Sequence, residues 1–259
     1  MNPLNITLIQ TSLEWESVDK NLAEFDKKLL QVPSNSEIII LPEMFSTGFS
    51  MKTNELAENF NGKAVKWMKS KAHETGKTIV GSIIFKEGNC FSNRLLWVSP
   101  NEEVSFYDKR HLFRMGNEHQ YYSQGENHLI VKHKDWRIMP LICYDLRFPV
   151  WSRNKNHYDL LIYIANWPEP RREVWKTLLI ARAIENQTWV IGVNRIGSDG
   201  MDMKYSGDSM VVNPKGHVIS NIQPYEDCVS TYSLSLDELQ DFRKKFPVGL
   251  DADNFQIIS

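Results

Sequence analysis

The sequence predicts a mixed α/β fold in which antiparallel hairpins are inserted among strand–helix units. Three observations predict it. Isoleucine-rich runs of strand length recur along the chain, segments of helical period separate them, and a strand–turn–strand stretch interrupts the alternation midway. The 259 residues suffice to bury a substantial core. No repeat, low-complexity linker or shift in composition divides them, so a single domain over residues 1–259 is the expectation.

The elements follow in order. "NITLIQ" reads as the first strand, "SEIIILPE" as the second and "KTIVGSIIF" as the third, all β-branched. Between the first two, "SVDKNLAEFDKKLLQV" places Val18, Leu22, Phe25 and Leu29 on one helical face. "GKAVKWMKSKAHETGK" repeats that pattern and stops at Gly76. "CFSNRLLWVSPNEEVSFYDK" reads as two strands joined by a Pro-Asn turn. Alternation then returns with strands "WRIMPLICY" and "DLLIYIANW", helix "REVWKTLLIARAIENQ" and strand "TWVIGVNRIG". A hairpin, "DSMVVNPKGHVISNI", turns at Asn213-Pro214-Lys215-Gly216, and Ser235 caps a late helix, "LSLDELQDFRKKF".

Hydrophobic residues make up 42% and charged residues 24%, as in ordinary globular proteins, and the formal net charge is -2. That balance gives no nucleic-acid footprint; the basic pairs Lys109-Arg110, Arg171-Arg172 and Lys244-Lys245 are short. The apolar runs fall far below the roughly 20 residues that span a bilayer, and the N-terminus has no signal-peptide pattern. Three cysteines make no disulfide framework, which points to a cytoplasmic enzyme. The seven histidines form no H-E-x-x-H and the cysteines no C-x-x-C, so no metal is expected. Neither phosphate-binding glycine motif occurs, so a nucleotide site of those types has no support.

What remains is a set of polar residues at strand ends. Glu43 closes "EIIILPEMF", Lys109 closes "EVSFYDK", and Cys143 closes "RIMPLICY" just before Tyr144-Asp145-Leu146-Arg147. Ligands gather outside the carboxyl ends of buried strands. Each residue alone has a plain reading: a surface glutamate, a surface lysine, an inert thiol. Cys90 and Cys228 are read as inert core cysteines. Together, an acid, a lysine and a thiol provide a proton acceptor, a cation that depresses the thiol pKa, and a nucleophile.

"LPEMF", "YDKRHLF" and "CYDLRFP", in that order, resemble the carbon–nitrogen hydrolase (nitrilase) superfamily, and within it the bacterial omega-amidase branch. The resemblance runs from "ITLIQ" to "DSMVVNPKG" and implies a four-layer αββα sandwich paired into an eight-layer homodimer through the nucleophile-side helices. It makes Cys143 the nucleophile, Glu43 the general base and Lys109 the group beside the oxyanion, with the Tyr144 N–H as second donor. It also places a second glutamate at Glu118 in "EHQYYSQG", after a loop, Arg114 to Asn117, that is short for the family. No cofactor is implied.

The implied substrate is a small amide, the omega-amide of a dicarboxylic acid such as 2-oxoglutaramate or succinamate. Asn166 and Trp167 of "ANWPEPRREVW" are candidate pocket residues, and core packing is the other reading of Trp167. Arg147 could grip the substrate carboxylate with two parallel hydrogen bonds, or could instead pair with Asp145 or Glu185; Arg171 is the second candidate. Three alternatives stay open: hydrolysis of N-carbamoyl amino acids, a Cys–His hydrolase using His111, and a catalytically silent interaction protein on this fold.

Overall fold

The isoleucine-rich runs become the inner strands of two sheets that face each other. The computed structural model describes residues 3–155 and 157–257. In chain order its strands are β1 (Leu4–Gln10), β2 (Ile38–Ile40), β3 (Thr78–Glu87), β4 (Cys90–Val98), β5 (Val104–Asp108), β6 (Val131–His133), β7 (Trp136–Ile142), β8 (Leu160–Ala165), β9 (Trp189–Asn194), β10 (Ile196–Ser198), β11 (Lys204–Ser206), β12 (Met210–Val212) and β13 (Cys228–Leu234). The helices are α1 (Val18–Leu29), α2 (Thr53–Leu56), α3 (Lys63–Thr75), α4 (Glu118–Tyr121), α5 (Arg172–Asn186) and α6 (Leu236–Lys245).

The first sheet has the order β13-β1-β2-β3-β4-β5 and the second β12-β9-β8-β7-β6, while β10 and β11 form a separate ribbon. β1, β2 and β3 run parallel, as do β7, β8 and β9; the outer strands are antiparallel. One core lies between the sheets, where Ile6, Leu8, Val80 and Trp97 meet Ile138, Leu141 and Ile162. A second core lies outside the first sheet, under Leu22 and Phe25 of α1 and Val65 and Met68 of α3. α5 covers the other flank through Trp175, Leu179 and Ala183. The layers are therefore α, β, β, α, as expected. Gly76 ends α3 in the left-handed region, φ 68°, which glycine adopts without Cβ strain. The Ser235 side chain accepts from Glu238 N at 3.1 Å and starts α6.

Several elements differ from expectation. The second strand stops at Ile40 rather than running to Glu43, because Pro42 lacks an N–H; Leu41 N still reaches Val80 O at 2.8 Å. "TWVIGVNRIG" is two strands, broken at Arg195, whose buried guanidinium donates to the Leu13 and Ser198 carbonyls. The return arm of the Asn213 hairpin keeps only a bridge at Val218. Cys90 is exposed beside the β3–β4 turn and Cys228 is half-buried on β13, so neither is the core residue expected; each begins its strand, where side chains meet solvent.

Candidate active site

Three turns bring the catalytic candidates together, and each turn has a local cause. Beyond β2 the chain is pinned to β3: Met44 N donates to Ser82 Oγ (2.8 Å) and Phe45 N to Ser82 O (3.1 Å). That fixes Glu43, which is fully buried. Beyond β5, Lys109 N donates to Asn93 O (3.0 Å) and its own carbonyl accepts from Gly125 N (2.9 Å). Beyond β7 the chain enters a 3₁₀ turn, Cys143–Arg147, with Cys143 itself at φ 43°. A left-handed cysteine is strained, so the surrounding bonds must hold it there.

Asp145 supplies that hold. Its Oδ2 accepts from Ile142 N (3.1 Å) and Tyr107 OH (2.8 Å), and its Oδ1 accepts from His111 N (3.0 Å) and lies 2.8 Å from His111 Nδ1. The His111 ring stacks on Phe148, with centroids 3.7 Å apart. His111 is thus committed to the turn rather than to the thiol, which removes the Cys–His arrangement.

The charged cluster is short-range and dry. Lys109 Nζ lies 3.0 Å from Glu43 Oε1 and 3.0 Å from Glu118 Oε1. Glu43 Oε1 also accepts from Asn93 Nδ2 (2.7 Å) and its Oε2 from Asn166 N (2.7 Å). Glu118 Oε2 accepts from Phe113 N at 2.6 Å. Burial alone would lower the Lys109 ammonium, yet Glu118 and Glu43 hold it above the ordinary lysine value. Burial raises Glu118, with Lys109 opposing. Burial also pushes the Cys143 thiol well up, and Glu43 adds to this as a neighbouring charge and hydrogen-bond partner; Lys109 pulls the other way and does not prevail. Lys109 lowers the thiol as expected, but burial and Glu43 together outweigh it. The resting group is a protonated thiol beside a carboxylate held by three donors.

A protonated thiol, a proton acceptor and a buried ammonium form an acyl-transfer set, and comparison with known proteins agrees with that chemistry. The carbon-nitrogen hydrolase family model matches residues 5–244. The chain belongs to the carbon-nitrogen hydrolase family. It is 46% identical to Omega-amidase YafV of Escherichia coli, over 99% of this chain and 100% of the relative. It is 31% identical to 2-oxoglutaramate amidase of Bacillus subtilis, over 94% of this chain and 95% of the relative. Among solved structures, a CN-hydrolase superfamily protein from Xanthomonas campestris, with an arsenic adduct in its active site, matches with a TM-score of 0.96 at 41% identity. That match covers 99% of this chain and 100% of the other.

In this carbon-nitrogen hydrolase Glu43, Lys109 and Cys143 line the floor of a cavity of about 830 Å³. Tyr144, Arg147, Asn166, Trp167 and Arg171 all line it. Asn166 Nδ2 donates to Glu43 O (2.6 Å), and the Asn166 carbonyl is 4.0 Å from Cys143 Sγ. Trp167 fits both of its readings: it is buried against Trp175 and also faces the cavity. Tyr144 sits edge-on to Phe113 and Phe148. As the second residue of its turn, Tyr144 has an N–H with no intrahelical acceptor.

Arg147 lies over the Trp167 ring at 5.3 Å and Arg171 over Phe113 at 5.4 Å. Among the described residues neither has a carboxylate partner. Asp145 is taken by Tyr107, Ile142 and His111, and Glu185 by Arg182 at 3.0 Å. Among the described residues neither ion pair weighed for Arg147, with Asp145 or with Glu185, is formed. Reading the chain alone passed over Asn93, which shares Glu43 with Lys109, and the clamping role of Asp145. A polar residue inside an apolar strand was the available signal for Asn93. Among the described residues no group of three His, Cys, Asp or Glu could hold a metal ion.

Proposed function

We propose that this carbon-nitrogen hydrolase cleaves the terminal amide of small dicarboxylic acid monoamides, of the 2-oxoglutaramate or succinamate type, to the acid and ammonia. One observation carries the reading: a buried Glu43–Lys109–Glu118 cluster beside Cys143 shares a cavity with two guanidiniums lacking carboxylate partners among the described residues. The cluster suits an amide carbonyl, and Arg147 or Arg171 suits a carboxylate. The names borne by the Escherichia coli and Bacillus subtilis relatives support the same substrate class.

The steps follow from the geometry. Glu43 takes the Cys143 proton as sulfur attacks the amide carbon. The oxyanion is met by the Lys109 ammonium and the Tyr144 N–H, donors fixed before the charge develops. Glu43 passes the proton to the leaving nitrogen, ammonia departs, and a thioester remains. Glu43 then deprotonates a water that attacks the thioester, and the proton returns to sulfur as the acid leaves. Glu118 holds Lys109 in place from its other side.

On the same reading the chain acts as one domain, in the cytoplasm, as a homodimer. The free state of Cys90, Cys143 and Cys228 supports the compartment. Apolar Ile184 on α5 and Phe246 just past α6, both exposed, support the pairing face, which sedimentation would test. Ammonia release measured over a panel of small amides tests the activity. The omega-amides of 2-oxoglutarate and succinate should lead the panel. Faster turnover of N-carbamoyl amino acids would overturn the assignment.

A further inference from the structure

The cavity exceeds what a four- or five-carbon monoamide needs. At about 830 Å³ it lies near the upper end of the roughly 300–1,000 Å³ that drug-sized ligands occupy. Its two ends also differ in chemistry. At the floor Glu43 and Lys109 are 0% and 1% exposed. At the mouth stand Trp15, Met51, Met115, Tyr121, Met201 and Met203, with Met115 79%, Met201 80% and Tyr121 45% exposed. Large apolar side chains gathered around one opening mark a binding surface, and methionine adapts to irregular apolar partners.

Two carboxylates at this mouth are already engaged. Asp199 Oδ1 accepts from Met201 N (2.9 Å) and Met203 N (3.0 Å), and its Oδ2 accepts from Tyr205 OH (2.8 Å). Asp199 thereby closes the turn between β10 and β11 that presents the two methionines. Glu16 accepts from Lys52 Nζ (2.6 Å) and Ser50 Oγ (2.6 Å). The Trp15 ring is seated between glycines: a Cβ on Gly200 would come within 2.3 Å of it, and one on Gly48 within 3.2 Å. The mouth is thus a held aromatic and thioether surface beside two carboxylates, Asp199 and Glu16, that already have partners.

We infer that this outer chamber receives a hydrocarbon group on the amide nitrogen, so that the enzyme also hydrolyses N-substituted omega-amides bearing an apolar amine. The inference rests on the proposed omega-amide reading. With the substrate carboxylate drawn to Arg147 or Arg171 and the carbonyl at Cys143, the nitrogen substituent takes the remaining way out, toward the mouth. The chemistry balances as before. Sulfur bonds to the carbonyl carbon, the C–N bond breaks, and the thiol proton carried by Glu43 goes to the departing nitrogen, giving a free primary amine. Water then replaces sulfur and restores the thiol.

The test compares succinamate, N-benzylsuccinamate and N-(2-hydroxyethyl)succinamate on the wild-type protein and on the double variant Met201→Ser, Met203→Ser. Both positions are solvent-exposed, so the fold should be indifferent to the change. Benzylamine should be released from N-benzylsuccinamate with a KM about tenfold below that for succinamate, as expected for an apolar ring leaving water. The hydroxyethyl compound should show no such gain. In the double variant the benzyl advantage should vanish while succinamate turnover stays unchanged. Turnover of succinamate with N-benzylsuccinamate inert, or a benzyl advantage that survives the double substitution, overturns the inference alone. If neither compound is cleaved, the omega-amide reading falls and takes the inference with it.

Discussion

The two sheets contribute to the site in different ways. The first supplies Glu43 and Lys109, side chains fixed by mutual ion pairing in a dry environment. The second supplies Cys143, fixed by a strained backbone and by the bonds of a neighbouring aspartate. An ion held by its partners leaves an unpaired charge when a partner is removed. A side chain held by its backbone can be truncated without such a debt. The two halves of the site should therefore differ in how far damage to chemistry is also damage to the fold.

Truncating the thiol gives the largest kinetic effect and tests this difference most directly. Cys143→Ala should abolish turnover and leave the unfolding midpoint near that of the wild type, whereas Cys90→Ala and Cys228→Ala should keep most activity. Amide hydrolysis by Cys143→Ala near the wild-type rate would sink the thioester mechanism.

Lys109→Ala comes next and should damage both properties. Loss of an oxyanion donor costs roughly 100- to 1,000-fold in rate, and stripping one partner from a buried charged set costs roughly 3–5 kcal/mol of stability. His111→Ala should slow the reaction much less; the reverse ranking would restore histidine as the base. The pH dependence has a definite sign. Glu118 is raised above its ordinary 4.5 by burial, so as pH rises the unfolded carboxyl releases its proton first. The unfolded state then binds fewer protons, and this group's contribution, full below 4.5, declines as pH climbs toward the folded value. Without Lys109 the decline should steepen, which denaturation at mildly acidic and neutral pH would show.

Glu43→Gln keeps the shape and removes the proton acceptor. A loss of about 100-fold is expected for a general base, and it should appear both in acylation and in thioester breakdown when these are resolved by rapid quench. Wild-type turnover would take Glu43 out of the mechanism.

The smallest expected effect is the most selective. Arg147→Ala should lower kcat/KM for succinamate by about 30-fold, the lower range for a charged pair that the bound substrate closes off from water. A neutral amide of similar size should hardly respond. Equal losses on both would assign Arg147 to the turn and leave the carboxylate to Arg171.

How much of this the chain revealed depends on the kind of residue. Glu43, Lys109 and Cys143 stand out because each follows an apolar run of strand length, and sheet strands deliver their next residues to one edge. Glu118 is legible only through resemblance, since a glutamate after a short polar loop is ordinary and its burial depends on the distant Lys109. β13 escaped notice because its Ser, Thr and Tyr residues give a half-buried edge strand no strong apolar alternation. The break at Arg195 was hidden for the opposite reason: an apolar pattern ran on across it while the guanidinium turned inward. Arg147 ends the turn that begins at Cys143. The turn is 3₁₀, with a tighter period, so its place in the cavity wall reflects the side chain's reach over Trp167.

The Asp145 carboxylate has a consequence for motion. Two of its partners, Tyr107 and His111, belong to the end of the first sheet and the chain just beyond it, while Ile142 belongs to the second. It therefore works as a spacer between sheets, setting how far sulfur stands from the ammonium on the opposite side of the seam. Sliding of one sheet along the other would have to break these bonds together in a dry place, which makes a slow, all-or-none event of what would otherwise be continuous drift. The reacting atoms thus inherit their alignment from a residue that never touches the substrate.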